Sequence, residues 1–357
     1  MACLLLAGVS LTLASCGAGQ PAVRSRAHGT PAAISPATAG RSSAATTPGT
    51  GTPAGSSSQP AGALGSPLPA PAALTPFGGP AAAREGAWSP AGRAVHGVPA
   101  VYETTLRPPG GSQLAGISWM DTRLLSARLY SGSRSPGGGP YRYTAPIEPA
   151  QAASLVAAFN GGFIMNVAGG GYYTEGRMVD PLRRGAASLV IYADGSVNVG
   201  AWGSDVVMTP NVESVRQNLV PLVAGGRPTA QAASTHWQAW GATCGATSCA
   251  ASVPGIEHQW RSGVGITADG ALVYAAGPGL APLQIAQLLV RAGVVRGMQL
   301  DINPDWPVFV SYDPAAGGLA APSDGSKLLS STVQGPWTFF APWWARDFIT
   351  MSARPAR

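Results

Sequence analysis

The stretch Gly297-Met298-Gln299-Leu300-Asp301-Ile302-Asn303-Pro304-Asp305-Trp306 places an acid directly after an apolar segment that begins at Val294. Met298 and Leu300 flank a polar Gln299, a pattern that predicts a strand with one buried face. Pro304 lacks the backbone donor that a central strand needs, so Asp301 is expected at the end of the strand, on the rim of a sheet. Functional residues are often held at such positions. The alternative interpretation is that Asp301 and Asn303 only close a turn.

A helix is predicted immediately before this strand. Residues 282–292 are apolar at 285, 288, 289 and 292, which is one face of a helical period, and Gly293 follows as a stop. An earlier segment has a similar plan: Pro149 opens a predicted helix that runs to Phe159 and is ended by Asn160-Gly161-Gly162. Helix, glycine stop and strand therefore occur twice.

Two hairpins are predicted at Asp194-Gly195 and Asp269-Gly270, each between alternating apolar residues. Further strands are expected at 101–106, 117–121, 123–130 and 337–348, the last of them a final core strand containing Trp343 and Trp344. Together these elements predict an α+β fold with a mixed or antiparallel sheet, two helices and an internal pseudo-duplication. We expect a single domain over residues 86–357.

The N-terminal part has a different composition. Leu4 to Leu13 is an apolar run that is too short to span a bilayer and suits a signal peptide. Leu13-Ala14-Ser15-Cys16 resembles a bacterial lipobox, which predicts a lipoprotein signal peptide over 1–16 and lipidation of Cys16. An ordinary secretory signal with an incidental cysteine is the alternative. Residues 17–85 are rich in Ala, Pro, Gly, Ser and Thr, and we interpret them as a disordered tether. The expected location is the outer face of the cytoplasmic membrane, in the cell envelope, with the lipid anchor as the sole membrane contact.

Four residues lie between Cys244 and Cys249, in a Gly/Ala/Thr/Ser-rich stretch. In an exported protein this spacing favours a small-loop disulfide. A metal site is the weaker alternative, because the histidines do not stand at zinc-binding spacings from the cysteines.

Composition excludes some classes of function. The net charge of +6 comes almost entirely from arginine in a chain with 11% charged residues, and no basic cluster interleaves with aromatics as nucleic-acid binding requires. No Gly-x-Ser-x-Gly nucleophile elbow and no Gly-x-Gly-x-x-Gly between strand and helix are present. Carboxylates, arginines and amides remain as the chemical groups, a set that suits cleavage at a glycosidic or anionic centre. No cofactor is predicted, and a requirement for a divalent cation stays open.

Four segments together resemble the phosphodiester glycosidase family, which includes the enzyme that uncovers mannose 6-phosphate by removing a covering N-acetylglucosamine. They are Asn160-Gly161-Gly162-Phe163, the hairpin Trp260–Gly270, the helix 282–292 leading to Leu300-Asp301, and the segment Asn218–Val223. The resemblance covers roughly residues 100–350. It implies a hydrolase that acts on a sugar phosphodiester of an envelope glycan, with a carbohydrate or glycan-phosphate substrate. We expect the protein to be a monomer.

The resemblance also implies a site. Asp301 would act as the acid/base, Glu175 as a second carboxylate, and Asn160 would orient a sugar hydroxyl or water. Arg261 would hold the phosphodiester oxygens, because its planar fork suits them. Gly161 and Gly162 would belong to the substrate-binding surface.

The chain departs from the family at its central motif. Where the family has Asp-Gly-Gly-Gly-Ser, this sequence has Asp301-Ile302-Asn303-Pro304. Glycines there would let backbone amides approach a phosphate, and Ile302 and Pro304 remove that freedom. Either the substrate differs, with Trp306 stacking on a sugar and Asp305 adding a carboxylate, or catalysis is lost and the protein binds a glycan or wall polymer without cleaving it.

Overall fold

The computed structural model describes residues 66–78, 82–234, 240–241 and 257–356. These residues belong to one compact unit that spans 59–357. The expected signal peptide, the lipidation site Cys16, most of the expected tether, and the expected disulfide between Cys244 and Cys249 lie outside the described residues.

Three antiparallel sheets form the body of the described domain. The first contains, in spatial order, β1 (Ser89–Pro90), β2 (Val101–Leu106), β3 (Ala115–Met120), β14 (Leu272–Leu280), β13 (Gln259–Thr267), β15 (Val294–Gln299), β11 (Val223–Ala224) and β12 (Arg227–Pro228). The second contains β7 (Arg177–Asp180), β6 (Tyr172–Thr174), β10 (Val212–Gln217), β8 (Ala187–Tyr192) and β9 (Val197–Ala201). The third contains β17 (Gly325–Lys327), β16 (Phe309–Tyr312), β5 (Leu155–Asn160), β18 (Phe348–Ala353) and β4 (Leu125–Tyr130).

Helices are few in the described ranges: α1 (Pro149–Ala152), α2 (Ala230–Ala233) and α3 (Pro282–Arg291). The predicted α3 and the strand after it are confirmed, and α3 buries Ile285, Leu288 and Leu289 against the outer face of the first sheet. Both predicted Asp-Gly hairpins are confirmed as β8–β9 and β13–β14. The domain is therefore mostly antiparallel β with little helix, and the internal pseudo-duplication stays a prediction. No helix in the described ranges combines the length and apolarity that a bilayer crossing demands.

The predicted helix from Pro149 to Phe159 is wrong in its second half. The helix α1 ends at Ala152, and Leu155–Asn160 is the strand β5, in which all six residues are buried. It pairs with β16 on one edge and β18 on the other, so it is a central strand. A short run that is apolar on both faces has no period to separate helix from strand, and pairing with two neighbours decides the outcome.

Two predicted boundaries also change. The final strand begins at Phe348, after a stretch in which Trp343 is 63% exposed and Trp344 is 1% exposed. The folded domain begins before residue 86, because Leu68 is buried and its amide donates to Asp121 Oδ2 at 2.7 Å. The Trp88 indole N–H likewise donates to the carbonyl of Ala72 at 2.9 Å. The last part of the expected tether is thus packed on the domain.

The main core is shared by all three sheets and places the site. Phe159 of β5 and Phe309 of β16 contact Tyr274 of β14, with ring centroids 5.3 Å from Tyr274 in each case. These contacts join the third sheet to the first. The ends of β5 and β15 consequently meet at the rim of this junction, where the backbone amide of Asp301 donates to the carbonyl of Gly161 at 3.2 Å.

Candidate active site

The end of β5 and the segment after β15 are joined by a chain of hydrogen bonds. Asn160 Nδ2 donates to Ser262 Oγ at 3.0 Å, and Ser262 Oγ donates to the carbonyl of Asp301 at 2.7 Å. With the bond between Asp301 and Gly161, these contacts bring Asn160, Gly161 and Asp301 into one cluster. All three residues are among those that the family resemblance assigns to the site.

The Asn160 side chain has no hydrogen-bonding capacity left for a ligand. Its Oδ1 accepts from the Tyr274 hydroxyl at 2.8 Å and from the Val308 amide at 3.1 Å. Its Nδ2 donates to the carbonyl of Gly161 at 2.9 Å as well as to Ser262. An amide has two donors and two acceptor sites, so Asn160 holds strand ends together instead of facing a substrate hydroxyl.

Asp301 is paired with Arg346, a residue that the sequence analysis did not select. Arg346 Nη2 donates to Asp301 Oδ2 and, at 2.9 Å, to the carbonyl of Gly162. Asp301 Oδ1 accepts from the Asn303 amide at 3.0 Å. Burial raises the pKa of Asp301 to about 6, even though Arg346 and the hydrogen bonds act to lower it. The Asp301 carboxyl thus changes its protonation state close to neutral pH.

A second buried ion pair lies beside the first. Arg216 Nε and Nη2 donate to the two oxygens of Asp347 at 2.7 and 3.2 Å, and the two side chains are 0% and 1% exposed. Arg216 also donates to the carbonyl of Phe163, and the amide of Gly161 donates to the carbonyl of Asp347 at 2.9 Å. The pair therefore fixes the backbone on both sides of the Gly161-Gly162 step.

The two glycines are required by close packing. A Cβ atom on Gly161 would lie 2.1 Å from Asp347 Oδ2, and one on Gly162 would lie 2.9 Å from Asn218 Oδ1. Asn218 Oδ1 in turn accepts from the Phe163 amide at 3.0 Å. Gly161 and Gly162 thus let the β5 end lie directly against the ion pairs, which gives the Asn-Gly-Gly-Phe segment a structural reason.

Arg261 is not part of this cluster. Its guanidinium is buried and donates to the carbonyl of Leu280 at 2.7 Å and to Gln299 Oε1 at 2.8 Å. It donates further to the carbonyls of Trp240 and Glu257. Burial lowers the pKa of Arg261, and oxygens of the protein occupy its nitrogens. Four of the five guanidinium N–H groups of Arg261 thus donate to protein oxygens, and its role in holding a phosphodiester stays a prediction.

Glu175 occupies the β6–β7 turn with φ of 52°. Its two carboxylate oxygens accept from the amides of Arg142 and Tyr143 at 2.8 and 3.0 Å. These contacts place the Glu175 carboxylate against the 142–143 backbone, and its role as a second carboxylate stays a prediction.

The segment after Asp301 covers one side of the cluster. Trp306 lies with its ring centroid 5.1 Å from Arg346 Cζ and also contacts Trp344 edge-on at 5.1 Å. Asp305 is exposed in the turn. Ile302 is 4% exposed and packs against Phe163, so it fills the space that a glycine would leave open.

Three charged residues of the cluster were missed: Arg216, Arg346 and Asp347. The available signal was the adjacent Arg346-Asp347 pair directly before the apolar strand β18, in a chain with few charges. In the described part of the chain, no group of three or more His, Cys, Asp or Glu side chains is arranged to hold a metal ion.

Comparisons with known proteins give distant structural similarities. No protein-family model matches the chain, and no curated protein matches it. A zebrafish N-acetylglucosamine-1-phosphodiester alpha-N-acetylglucosaminidase catalytic domain, auto-inhibited by its pro-peptide, is similar with a TM-score of 0.42 and 16% identity, over 74% of this chain and 87% of that one. A hypothetical protein from Synechocystis is similar with a TM-score of 0.39 and 11% identity, over 74% of this chain and 64% of that one. A protein of Burkholderia pseudomallei described as exported is similar with a TM-score of 0.33 and 13% identity, over 67% of this chain and 73% of that one.

Proposed function

We propose that this protein is a hydrolase in which Asp301 is the acid/base. One observation carries the proposal: a carboxyl at the rim of two sheets, 4% exposed, has a pKa raised by burial to about 6 and lies against a guanidinium. A carboxyl with a pKa near the working pH is suited both to give up and to take a proton during bond cleavage.

The proposed substrate class is a glycosyl phosphodiester of an envelope glycan. Arg346 supports this class because guanidinium groups bind phosphate oxygens through paired donors. Among the described residues, Arg346 Nε is buried with no hydrogen-bond partner, so one donor is left beside the acid. The motif resemblance at Asn160–Phe163 and Leu300-Asp301 points to the same class. The phosphate-binding role expected of Arg261 passes in this proposal to Arg346.

Protonation of Asp301 links the acid to phosphate binding. When the carboxyl is neutral, its charge no longer competes for Arg346, and a phosphate oxygen takes its place on the guanidinium. Asp301 then donates its proton to the oxygen that bridges sugar and phosphorus as the sugar–oxygen bond breaks. Water adds to the anomeric carbon and gives up one proton, which restores the neutral Asp301 carboxyl, and the products are a free sugar and a phosphomonoester.

A second candidate function is binding of a glycan or wall polymer without cleavage. The observation that favours it is the buried Ile302, which together with Pro304 replaces the glycines expected to cradle an anion. Trp306, half-buried against Arg346, would then supply a stacking face for a sugar.

Sugar release from a synthetic methyl sugar-1-phosphodiester, measured as new reducing ends, separates the two candidates. The hydrolase proposal expects release by the unmodified chain, loss of release in Asp301→Asn, and retention in Asp313→Asn, a control at an exposed aspartate outside the proposed site. Circular dichroism of Asp301→Asn verifies that the fold is kept. Binding of the glycan with no release by the unmodified chain would favour the second candidate, and full release by folded Asp301→Asn would exclude Asp301 as the acid.

Export and lipid anchoring at Cys16 belong to the same proposal and rest on the Leu4–Leu13 run and the Leu-Ala-Ser-Cys sequence. Expression of the full chain with radiolabelled palmitate should label the unmodified protein and leave Cys16→Ser unlabelled. The lipid anchor at Cys16 would be contradicted if both proteins were labelled. It would also be contradicted if neither protein were labelled and the mature protein were released from the cells.

A further inference from the structure

Two tryptophans lie exposed and in contact on the surface next to the proposed active site. Trp337 is 43% exposed and Trp343 is 63% exposed, and their ring centroids are 5.3 Å apart at an interplanar angle of 41°. Both lie in the stretch 337–348 that was predicted to be a core strand. Large indole faces left in solvent beside one another are unusual for a folded domain and often mark a binding surface.

Both indoles are held by buried neighbours. Trp337 is followed by Thr338 and Phe339, which are each 0% exposed, and Trp343 is followed by Trp344, which is 1% exposed. The Phe340 amide donates to the carbonyl of Trp337 at 3.0 Å. The aromatic pair is therefore presented on a fixed backbone, so that little ordering is needed when a ligand binds.

The aromatic pair is physically continuous with the proposed active site. Trp344, adjacent to Trp343 in sequence, contacts Trp306, and Trp306 lies against Arg346, the partner of Asp301. Arg346 is three positions after Trp343, which is at most about 11 Å of extended chain. A polymer that places one unit at Asp301 can thus lay neighbouring units on the two indoles.

The size of the patch indicates its occupant. The two indoles expose roughly 270 Å² if a free tryptophan side chain is taken as about 250 Å². A stable protein–protein interface needs about 800 Å² on each partner, so this patch is too small to hold a second copy of the chain on its own. A flat sugar face stacked on each ring matches the patch in size and in character.

The edge of the patch carries polar groups that suit a sugar. Ser133 and Arg134 are exposed, and their amides donate to the carbonyls of Trp344 and Ala345 at 2.9 and 3.2 Å. The Ser133 hydroxyl also lies 3.3 Å from the carbonyl of Trp343. Aromatic faces bordered by a few hydrogen-bonding groups are typical of sites that bind small polar molecules.

From these observations we propose that Trp337 and Trp343 form a glycan-binding subsite that holds a part of the polymer beyond the bond cleaved at Asp301. The inference rests on the proposed function, and it names the polymer character of the substrate. Soluble oligosaccharides would bind this subsite whether or not they carry a scissile phosphodiester.

The test is a calorimetric titration of the full chain with two defined probes, a tetrasaccharide of N-acetylglucosamine and a tetrasaccharide of mannose. The unmodified chain should bind at least one of them, Trp343→Ala and Trp337→Ala should each weaken binding by about tenfold or more, and Trp343→Phe should lose less. The control is Met178→Ala, which removes an equally exposed apolar side chain from β7. Because both tryptophans are exposed, the variants should unfold at the temperature of the unmodified chain.

The proposal would be overturned if Trp343→Ala bound the probe with an affinity within twofold of that of the unmodified chain. It would also be overturned if the unmodified chain did not bind the probe at millimolar concentration. A change in sedimentation, or in binding to phosphatidylglycerol vesicles, without a change in glycan affinity would also overturn it, in favour of self-association or a lipid surface. Failure of the catalytic proposal can be told apart from failure of the subsite proposal. Asp301→Asn should still bind the tetrasaccharide. Trp343→Ala should still cleave the short methyl phosphodiester, while its KM for a longer substrate rises.

Discussion

The buried pair of Arg216 and Asp347 offers a quantitative test of how the site is built. Both side chains are within 1% of full burial and share two hydrogen bonds, and Asp347 also receives the Gly161 amide on its backbone carbonyl. Asp347→Asn keeps the shape of the side chain and leaves the Arg216 charge without its partner. Removing one member of a buried pair costs about 3–5 kcal/mol, a large share of the roughly 5–15 kcal/mol that stabilises a domain.

A double-mutant cycle with urea unfolding measures the coupling between the two residues. Asp347→Asn and Arg216→Met should each lower the free energy of unfolding by about 3–5 kcal/mol. The double variant should lose about 2–3 kcal/mol less than the sum of the single losses, because the second change removes a charge that is already unpaired. An unchanged slope with urea verifies that the unfolding transition stays comparable.

The result that refutes this reasoning is additivity of the two changes to within about 0.5 kcal/mol, the range expected of independent sites. A second readout comes from Asp301, whose pKa is raised in part by the neighbouring Asp347. Asp347→Asn should therefore lower the pKa of the Asp301 carboxyl, which NMR titration of that carboxyl detects in the folded variant.

Three further predictions concern other parts of the domain. Burial raises the pKa of Glu103 from 4.5 to about 7. Between these two pH values the carboxyl keeps its proton in the folded state and loses it in the unfolded state. The free energy of unfolding should therefore fall as pH rises through this window, by up to about 3 kcal/mol. Glu103→Gln should remove that pH dependence in urea unfolding measured from pH 4 to 8, and an identical profile would contradict it. Gly161→Ala should destabilise by more than about 2 kcal/mol, because the new methyl overlaps Asp347. Thermal unfolding measures this, with Gly335→Ala as the control, because a Cβ there meets nothing nearer than 3.4 Å and the backbone is not left-handed. Arg261→Met should lower stability and leave the KM of a short substrate unchanged, and a selective rise in KM would restore its expected role in binding phosphate.

The local elements could be predicted where a residue type imposes its own geometry. Asp194-Gly195 and Asp269-Gly270 encode tight hairpins, and the period of residues 282–292 encodes α3, so these elements agree with the structure. Leu155–Asn160 could not be assigned in the same way. It is buried on both faces, and its strand state depends on the β16 and β18 partners, which lie far along the chain.

The candidate site was predictable only in part for a similar reason. Asp301 and Asn160 were found because each ends an apolar segment that the sequence marks. Arg346 and Arg216 act through partners 45 and 131 residues away in sequence, a separation at which no local pattern gives a signal. Arg261 belongs to a motif that suggested a ligand, and its bonds to backbone carbonyls depend on chain segments that no local pattern identifies.

The pH dependence of sugar release from the methyl sugar-1-phosphodiester tests the central claim most directly. If Asp301 supplies the proton, kcat/KM for the unmodified chain should fall about tenfold per pH unit above a midpoint near 6, the pKa that burial gives this carboxyl. Asp301→Asn should show no release at any pH. A rate that is flat from pH 5 to 8, or release by the folded Asp301→Asn variant with the same midpoint, would contradict the account.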